Sequence, residues 1–215
     1  MKVVRIGEIE PIPVAGVNWR PLRRALGIEA FGINAYTADA GEDVVEEHDE
    51  TGPGAGHHEE LYIVVTGHAT FTVDGEGIDA PVGTCVFLDD PKERRGARAV
   101  EDGTTVLAIG GTRGEPFKVS PWEFRFAAVP AWGENRFDDV EALLREALEV
   151  HPGNVSVLYD LACVEALTGR LDEAFEHLGQ AATNPRLREQ ALEDPDFDAV
   201  RDDPRFSAAL GSPRE

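Results

Sequence analysis

The stretch His57–Glu76 constrains the fold of this chain more than any other segment. Residues 61–65 form a short apolar run that is rich in β-branched side chains and is followed by Gly67. A run of this length and composition is typical of a strand covered on both faces. Beyond Gly67, apolar and polar residues alternate as far as a turn signal at Asp74, which is typical of a half-buried strand. The stretch therefore predicts two paired strands joined by a tight turn at Gly67.

Segments of the same kind predict further strands in the first half of the chain. Strands are predicted at residues 3–9, 31–37, 44–48, 78–80, 84–88 and 104–109. Residues 19–26 are predicted to form a helical turn, residues 51–56 a flexible loop, and residues 122–129 a last strand or a connector. Short strands at this spacing, separated by Gly and Pro, indicate a β-sandwich or barrel.

From Asn135 onward, apolar residues recur at the spacing of amphipathic helices. Helices are predicted over residues 137–148, 157–167 and 171–181, and short capping turns over residues 196–200 and 203–206. The segment Arg136–Asp139 recurs as Arg170–Glu173, at an offset of 34 residues. This part of the chain therefore resembles tetratricopeptide repeats, which have that period.

A tetratricopeptide array usually needs about three repeats to be stable alone, and this region offers fewer. We therefore expect the helices to lean on the barrel or on a second subunit, which predicts a homo-oligomer, and specifically a dimer. An unidentified protein partner is expected to bind the helical region.

The stretch around Gly67 resembles the first sequence motif of the cupin family, whose members are small double-stranded β-barrels. That motif carries two His two residues apart, then a Glu, and then a Gly seven residues after the Glu. Glu60 and Gly67 match the last two positions, but Gly54 and Gly56 stand where the two His are expected. The second cupin motif falls on residues 81–94, where Arg94 replaces the third metal-binding His.

Together the two resemblances predict an α+β chain with two domains. An N-terminal, cupin-like double-stranded β-barrel is predicted over residues 1–128. A small all-helical, tetratricopeptide-like domain is predicted over residues 129–215.

The candidate ligand pocket follows from strand alternation around Glu60, which the resemblance places inside the barrel. His58, Glu60 and Tyr62 would share the inward face, because side chains two residues apart on a strand point the same way. His48 on the preceding strand would lie opposite His58. Arg94 would either point inward, to pair with Glu60 or grip an anion, or lie on the surface. A buried carboxylate needs a partner, so Glu60 is expected to pair with His58, Arg94 or His48.

The resemblance to cupins implies a metal bound by three His and one Glu, but only Glu60 carries over. The sequence therefore predicts no metal cofactor. The alternative is a replacement site of two His and one carboxylate, formed by His48, His58 and Glu60. A further interpretation is that these His side chains only form local hydrogen bonds at a polar barrel mouth.

Composition excludes several classes of partner. The chain has 41 acidic and 20 basic residues and a net charge of −21. Nucleic acid and anionic membrane surfaces are therefore not expected as partners. Cys85 and Cys163 fall in different predicted domains, so no disulfide framework is expected. The sequence shows no signal peptide or membrane span, and a cytoplasmic location is expected.

Three functions remain open from the sequence. The leading hypothesis is a non-catalytic or sensory module, whose barrel binds a small molecule or is merely structural and whose helices bind a protein. The second is a metal-dependent oxygenase or isomerase that uses substitute ligands. The third is a metal-free isomerase or cyclase with His58 and Glu60 as acid and base.

Overall fold

The computed structural model of the protein describes residues 1–52 and 54–211. Pro53, within the predicted loop, and the last four residues of the predicted helical domain lie outside this part. The chain divides into two compact units, Met1–Ser120 and Pro121–Glu215, here named the β-sheet unit and the helical unit. The boundary thus lies eight residues before the predicted one, because residues 121–133 are helical rather than a strand or connector.

The β-sheet unit contains ten strands in its described residues. They are β1 (Ile12–Val14), β2 (Val17–Arg20), β3 (Gly32–Ala38), β4 (Asp43–His48), β5 (Glu59–Thr66), β6 (His68–Val73), β7 (Glu76–Pro81), β8 (Cys85–Leu88), β9 (Arg95–Ala99) and β10 (Thr104–Gly111). A 3₁₀ turn covers Ile6–Glu8, and the short helix α1 covers Leu22–Leu26.

The strands form two antiparallel sheets that face each other across one core. The first sheet has the order β1-β2-β3-β10-β5-β8, and the second has the order β4-β9-β6-β7. Tyr62 and Val64 of the first sheet share the core with Phe71 and Ala97 of the second. The described pairing is therefore that of a β-sandwich, and it does not itself close into the predicted barrel.

The turn between β5 and β6 forms where it was predicted. Gly67 adopts a φ of +71°, which glycine tolerates far better than other residues. A Cβ at this position would also collide with Thr104. The identity of this residue is thus fixed both by the turn and by the close approach of a neighbouring strand.

Most of the predicted strands are present, and the exceptions have physical reasons. Residues 3–9 were wrongly predicted as a strand: they contain the 3₁₀ turn, and their side chains are mostly exposed. β9 was missed because its sequence, Arg-Gly-Ala-Arg-Ala, contains residues that are uncommon in strands. Within the segment 19–26, residues 19 and 20 belong to β2, and the predicted helical turn follows as α1.

The helical unit contains six α-helices in its described residues. They are α2 (Pro121–Gly133), α3 (Phe137–Val150), α4 (Val155–Leu167), α5 (Leu171–Ala181), α6 (Pro185–Glu193) and α7 (Pro204–Leu210), with a 3₁₀ turn at Pro195–Val200. The three predicted helices are present as α3, α4 and α5. Of these helices, α2 and α6 were not predicted.

The 34-residue repetition is visible in the backbone. α3 and α5 begin 34 residues apart, at Phe137 and Leu171. The residues before them, Arg136 and Arg170, have nearly the same dihedral angles, with φ of −84° and −86° and ψ of 66° and 65°. α2–α3 and α4–α5 are thus two consecutive helical hairpins, while their tetratricopeptide character stays a prediction.

Two further features concern the surface and the thiols. Cys85 is exposed on β8 and Cys163 is buried in α4, and both are free thiols. Across residues 1–52 and 54–211, no helix combines the length and apolar character needed to cross a bilayer.

Candidate functional site

A charged cluster lies between the two sheets of the β-sheet unit. His48 ends β4 and is the cross-strand partner of Arg95, the first residue of β9. Glu60 and Tyr62 reach the same place from β5 in the other sheet, on one face because they are two residues apart. Glu50 follows His48 by two residues and completes the group, which we call the inter-sheet cluster.

Glu60 is at the centre of the inter-sheet cluster. Its Oε2 accepts a hydrogen bond of 2.6 Å from the Tyr62 hydroxyl. The same oxygen lies 3.7 Å from His48 Nε2 and 3.4 Å from Arg95 Nε. The Glu60 side chain is 12% exposed and that of His48 28% exposed, so the cluster meets solvent on the His48 side. Of the partners predicted for Glu60, His48 is present, whereas Arg94 pairs with Glu47 instead.

Arg95 is a guanidinium sealed inside the protein, with a side chain that is 0% exposed. Its Nη1 donates to two main-chain carbonyl oxygens, at 2.7 Å to Glu93 and 3.3 Å to Pro91. Nε and Nη2 are buried and make no hydrogen bond to any residue in the described part of the chain. Buried donors normally have a partner, so these two nitrogens stand out in the β-sheet unit.

Glu50 connects the inter-sheet cluster to the loop that precedes β5. Its Oε1 lies 3.9 Å from His48 Nε2. Its Oε2 accepts a 2.9 Å hydrogen bond from the main-chain N–H of Gly56 and a longer one, of 3.5 Å, from that of His58. Each carboxylate oxygen of Glu50 therefore faces a different part of the structure.

The environment shifts the pKa values of the titratable groups in the cluster. Burial, together with repulsion by Glu60, raises the pKa of Glu50 to about 6. Burial alone would raise the pKa of Glu60, but His48, Tyr62 and Arg95 outweigh it and the pKa is lowered. Burial alone would lower the pKa of His48, but Glu60 outweighs it and the pKa is raised. Burial and the Glu60 carboxylate raise the pKa of Tyr62 well above its ordinary value.

The structure brings together three of the five predicted pocket residues, namely His48, Glu60 and Tyr62. The strand register is the predicted one, because Glu59 points to the other face and pairs with the exposed Arg113 at 2.8 Å. Glu60 is thus the inward carboxylate of this pair.

His58 lies just before β5 rather than within it. β5 begins only at Glu59, and His57, two residues before the strand, has a φ of +54°. The His58 ring is buried and packs against Phe117, with 5.7 Å between ring centroids. It is not in the group formed by His48, Glu50 and Glu60.

Arg94 takes the outward alternative. It is exposed and pairs with Glu47 on the surface, while its neighbour Arg95 points inward.

The sequence offered signals for the two cluster residues that were missed, Arg95 and Glu50. Arg95 differs from Arg94 by one step of strand alternation, and Glu50 is two residues from His48 along an extended chain.

The donor atoms of His48, Glu50 and Glu60 lie within 4.8 Å of one another, a spacing that ligands to one metal ion can have. Glu50 therefore replaces His58 in the alternative metal set that was predicted. A divalent ion fits this group poorly, however. Glu60 Oε2 already accepts from Tyr62 and lies 3.4 Å from the permanent charge of Arg95. A metal ion bound there would lie close to that charge and be repelled by it.

A second group with ligand-type atoms lies in the helical unit, formed by Cys163, Asp194 and Asp196. Asp194 is already used, because it accepts from the Tyr159 hydroxyl at 2.8 Å and from the main-chain N–H of Asp196. Burial, with the nearby aspartates, raises the pKa of the Cys163 thiol. Metals bind the thiolate form, so an ion at this group would have to displace the thiol proton.

Comparison with known proteins gives likenesses among solved structures. An RmlC-like cupin from Desulfovibrio desulfuricans is 28% identical, with 38% of this chain and 72% of that chain covered and a TM-score of 0.32. A cupin from Bacteroides fragilis is 21% identical, with 56% and 88% covered and a TM-score of 0.40. A Cupin 2 conserved barrel domain protein from Salinispora arenicola is 18% identical, with 60% and 97% covered and a TM-score of 0.43.

Neither a scan against protein-family models nor a search of curated proteins gives a match for this chain. The three solved structures named above are described as cupins.

Proposed function

We propose that the β-sheet unit is a cupin-type module that binds a small molecule at the inter-sheet cluster, and that the helical unit binds a protein partner. The observation that carries the first part is Arg95. Two of its buried nitrogens make no hydrogen bond within residues 1–52 and 54–211. A purely structural guanidinium would be expected to have its donors paired, so this incomplete pairing supports a ligand site at the cluster.

The proposal favours binding over catalysis because hydrogen bonds hold the side chains of the cluster. Tyr62 holds Glu60 at 2.6 Å, and two main-chain carbonyls hold Arg95. These contacts fix the charged groups in place, as a recognition site requires. The partner of the helical unit is proposed on the two repeated hairpins, since stacked helical hairpins form surfaces for other proteins.

A second candidate is a metal-free enzyme that works by acid–base chemistry. One observation favours it: Glu50, with a pKa of about 6, lies 3.9 Å from His48, whose pKa is raised. Groups that titrate near neutral pH can give and take protons. In this candidate Glu50 and His48 take the acid and base roles that were predicted for His58 and Glu60.

The test is thermal unfolding of the full chain with a panel of sugars, polyols, small carboxylates and sugar phosphates. Glu59→Gln is the matched control, because this neighbouring carboxylate lies on the opposite face of β5. We expect one class of compound to raise the melting temperature of the wild type and of Glu59→Gln, but not of Glu60→Gln. A ligand at 100 times its Kd should stabilise the protein by about 2.7 kcal/mol.

A shift that persists in Glu60→Gln would place the binding elsewhere and contradict the proposed site. Nuclear magnetic resonance of the stabilising compound after incubation then separates the two candidates. An unchanged compound supports the binding module, and a converted compound supports the enzyme.

A further inference from the structure

The position of Arg95 relative to the ligand-type side chains is unusual. Arg95 faces His48 directly across the β4–β9 pair, and its Nε lies 3.4 Å from Glu60 Oε2. His48 Nε2 lies 3.7 Å from that same oxygen. The guanidinium is thus at contact distance from the oxygen that belongs to the metal-type group.

The guanidinium is also fixed in that position. Nη1 is held by the carbonyl oxygens of Pro91 and Glu93. The Pro91 carbonyl accepts at the same time from the main-chain N–H of Glu50, at 2.8 Å. The segment before β9 therefore anchors both Arg95 and a carboxylate residue of the cluster. Arg95 cannot swing away from the cluster without breaking these contacts.

The side chains of the cluster also balance in charge type. Glu50 and Glu60 are two carboxylates, and they face one guanidinium and one imidazole. A divalent ion would add two positive charges beside Arg95, and an anionic ligand would meet both carboxylates. A neutral molecule disturbs neither pairing, and charges in a protein interior interact much more strongly than in water.

We propose that Arg95 is the built-in cation of this site, standing among His48, Glu50 and Glu60 where a metal ion would otherwise be held. The ligand is a neutral, hydroxyl-bearing small molecule that meets the cluster on its solvent-facing His48 side and whose hydroxyl groups donate to the carboxylates. This inference rests on the proposed function in taking the inter-sheet cluster as the ligand site. It adds the nature of the cation and the class of the ligand.

The first experiment asks whether the charge of Arg95 keeps metal out. The full chain, treated with a chelator and free of any affinity tag, is titrated calorimetrically with Mn²⁺ and with Zn²⁺. The variants are Arg95→Gln, which removes the charge, and Arg95→Lys, which keeps it. We expect Arg95→Gln to bind one ion at least about 100-fold more tightly than the wild type, because the repulsion is removed. Arg95→Lys should behave like the wild type.

The double variant Arg95→Gln/His48→Ala should lose the gained affinity, which locates the ion in the cluster. If Arg95→Gln is unfolded without metal, recovery of its circular dichroism spectrum on adding Mn²⁺ or Zn²⁺ supports the proposal. No gain in affinity, or no recovery, overturns it. Tight binding of one ion by the wild type, lost in His48→Ala, overturns it as well.

The ligand class is tested on the wild type with matched pairs, such as glucose against gluconate and xylose against xylonate, by thermal unfolding. The neutral member should stabilise the protein more. A neutral member that stabilises less than its acid, or not at all, overturns this part. The proposed function has its own test, which does not depend on the metal titrations. It fails if a stabilising compound raises the melting temperature of Glu60→Gln as much as that of the wild type.

Discussion

The inter-sheet cluster and the ion network of the helical unit bury charge in different ways. Glu141 on α3 accepts two hydrogen bonds from Arg145, at 2.6 and 2.8 Å, and two from Arg170, at the same distances. These contacts, led by Arg170, lower the pKa of Glu141 to about 2. In the β-sheet unit, by contrast, Arg95 keeps two nitrogens without a hydrogen bond in the described residues.

The difference separates a carboxylate whose hydrogen bonds are complete, Glu141, from a guanidinium whose hydrogen bonds are incomplete, Arg95. A carboxylate with four hydrogen bonds joins secondary structure elements and has no capacity left for a ligand. An unsaturated network in a protein interior is costly, and proteins accept such costs mainly at functional sites. This contrast supports a stabilising role for Glu141 and agrees with the binding role proposed for the inter-sheet cluster.

The largest expected effect comes from breaking the buried pair in the β-sheet unit. Arg95→Leu leaves the Glu60 carboxylate without its cation and should lower the free energy of unfolding by about 3–5 kcal/mol. Urea unfolding measures this, followed by the fluorescence of the buried Trp19 in a Trp122→Phe/Trp132→Phe background. The double variant Arg95→Leu/Glu60→Gln should be less destabilised than Arg95→Leu. An equal or larger loss in the double variant would show that the two side chains are not coupled.

A smaller effect is expected in the helical unit. Arg170→Ala removes two hydrogen bonds from the largely buried Glu141 and should cost about 1 kcal/mol, since both partners are partly exposed. Arg145→Ala is the matched control on the same carboxylate. Its side chain is more exposed and it lies one helical turn from Glu141, so its loss should cost less than about 0.5 kcal/mol. Circular dichroism at 222 nm during urea unfolding measures both, and the reverse order would contradict the comparison.

The smallest effect is a pH dependence in the helical unit. His177 Nδ1 on α5 lies 2.7 Å from Oε2 of the buried Glu165 on α4, and this contact raises the pKa of His177. Among the neighbouring groups, Glu176 also raises this pKa and Arg145 opposes the rise. A raised pKa means that the protonated imidazole stabilises the folded state. This contribution is complete below the ordinary value of about 6.5 and is lost as pH rises through the folded value.

The wild type should therefore exceed His177→Gln in the free energy of unfolding by more at pH 5.5 than at pH 9. The change in this difference should be below about 1 kcal/mol, because the His side chain is partly exposed. Urea unfolding at both pH values measures it. A difference that is constant across this range would show that His177 acts without its charge.

The sequence predicted the residues at the centre of the inter-sheet cluster but not all of those around it. Strand alternation placed Glu60 and Tyr62 on one face because both lie within β5, where the period of two holds. The rule could not place His58, which precedes the first residue of β5 and packs against Phe117. No pattern of apolar residues shows where a strand begins to that accuracy.

Two residues of the cluster were missed for a different reason. Glu50 lies beyond the end of β4, and Arg95 opens a strand of small and charged residues that has little hydrophobic signal. Their roles come from contacts between segments far apart in sequence, which local patterns do not contain. The register of β4 with β9, which sets His48 against Arg95, is information of this kind.

The helical unit shows the same limit. α3 and α5 were predicted because each has a clear apolar face. α2 was missed because its apolar residues run all round the helix and Pro130 lies inside it. Pro121 at its first position is compatible with a helix start, since the missing N–H would be unsatisfied there anyway. α2 therefore forms a hairpin with α3 although its sequence lacks the usual periodic signal of a helix.

The two free thiols differ in exposure, so their rates of reaction can report local opening of the native protein. Cys85 on β8 is exposed, while Cys163 is enclosed in the core of the helical unit. A thiol reagent at neutral pH therefore meets one site at once and the other only when α4 separates from its neighbours. The rate of the second reaction measures how often that core opens under native conditions. The fast reaction of Cys85 thus serves as an internal standard for the slow reaction of Cys163, without any added label.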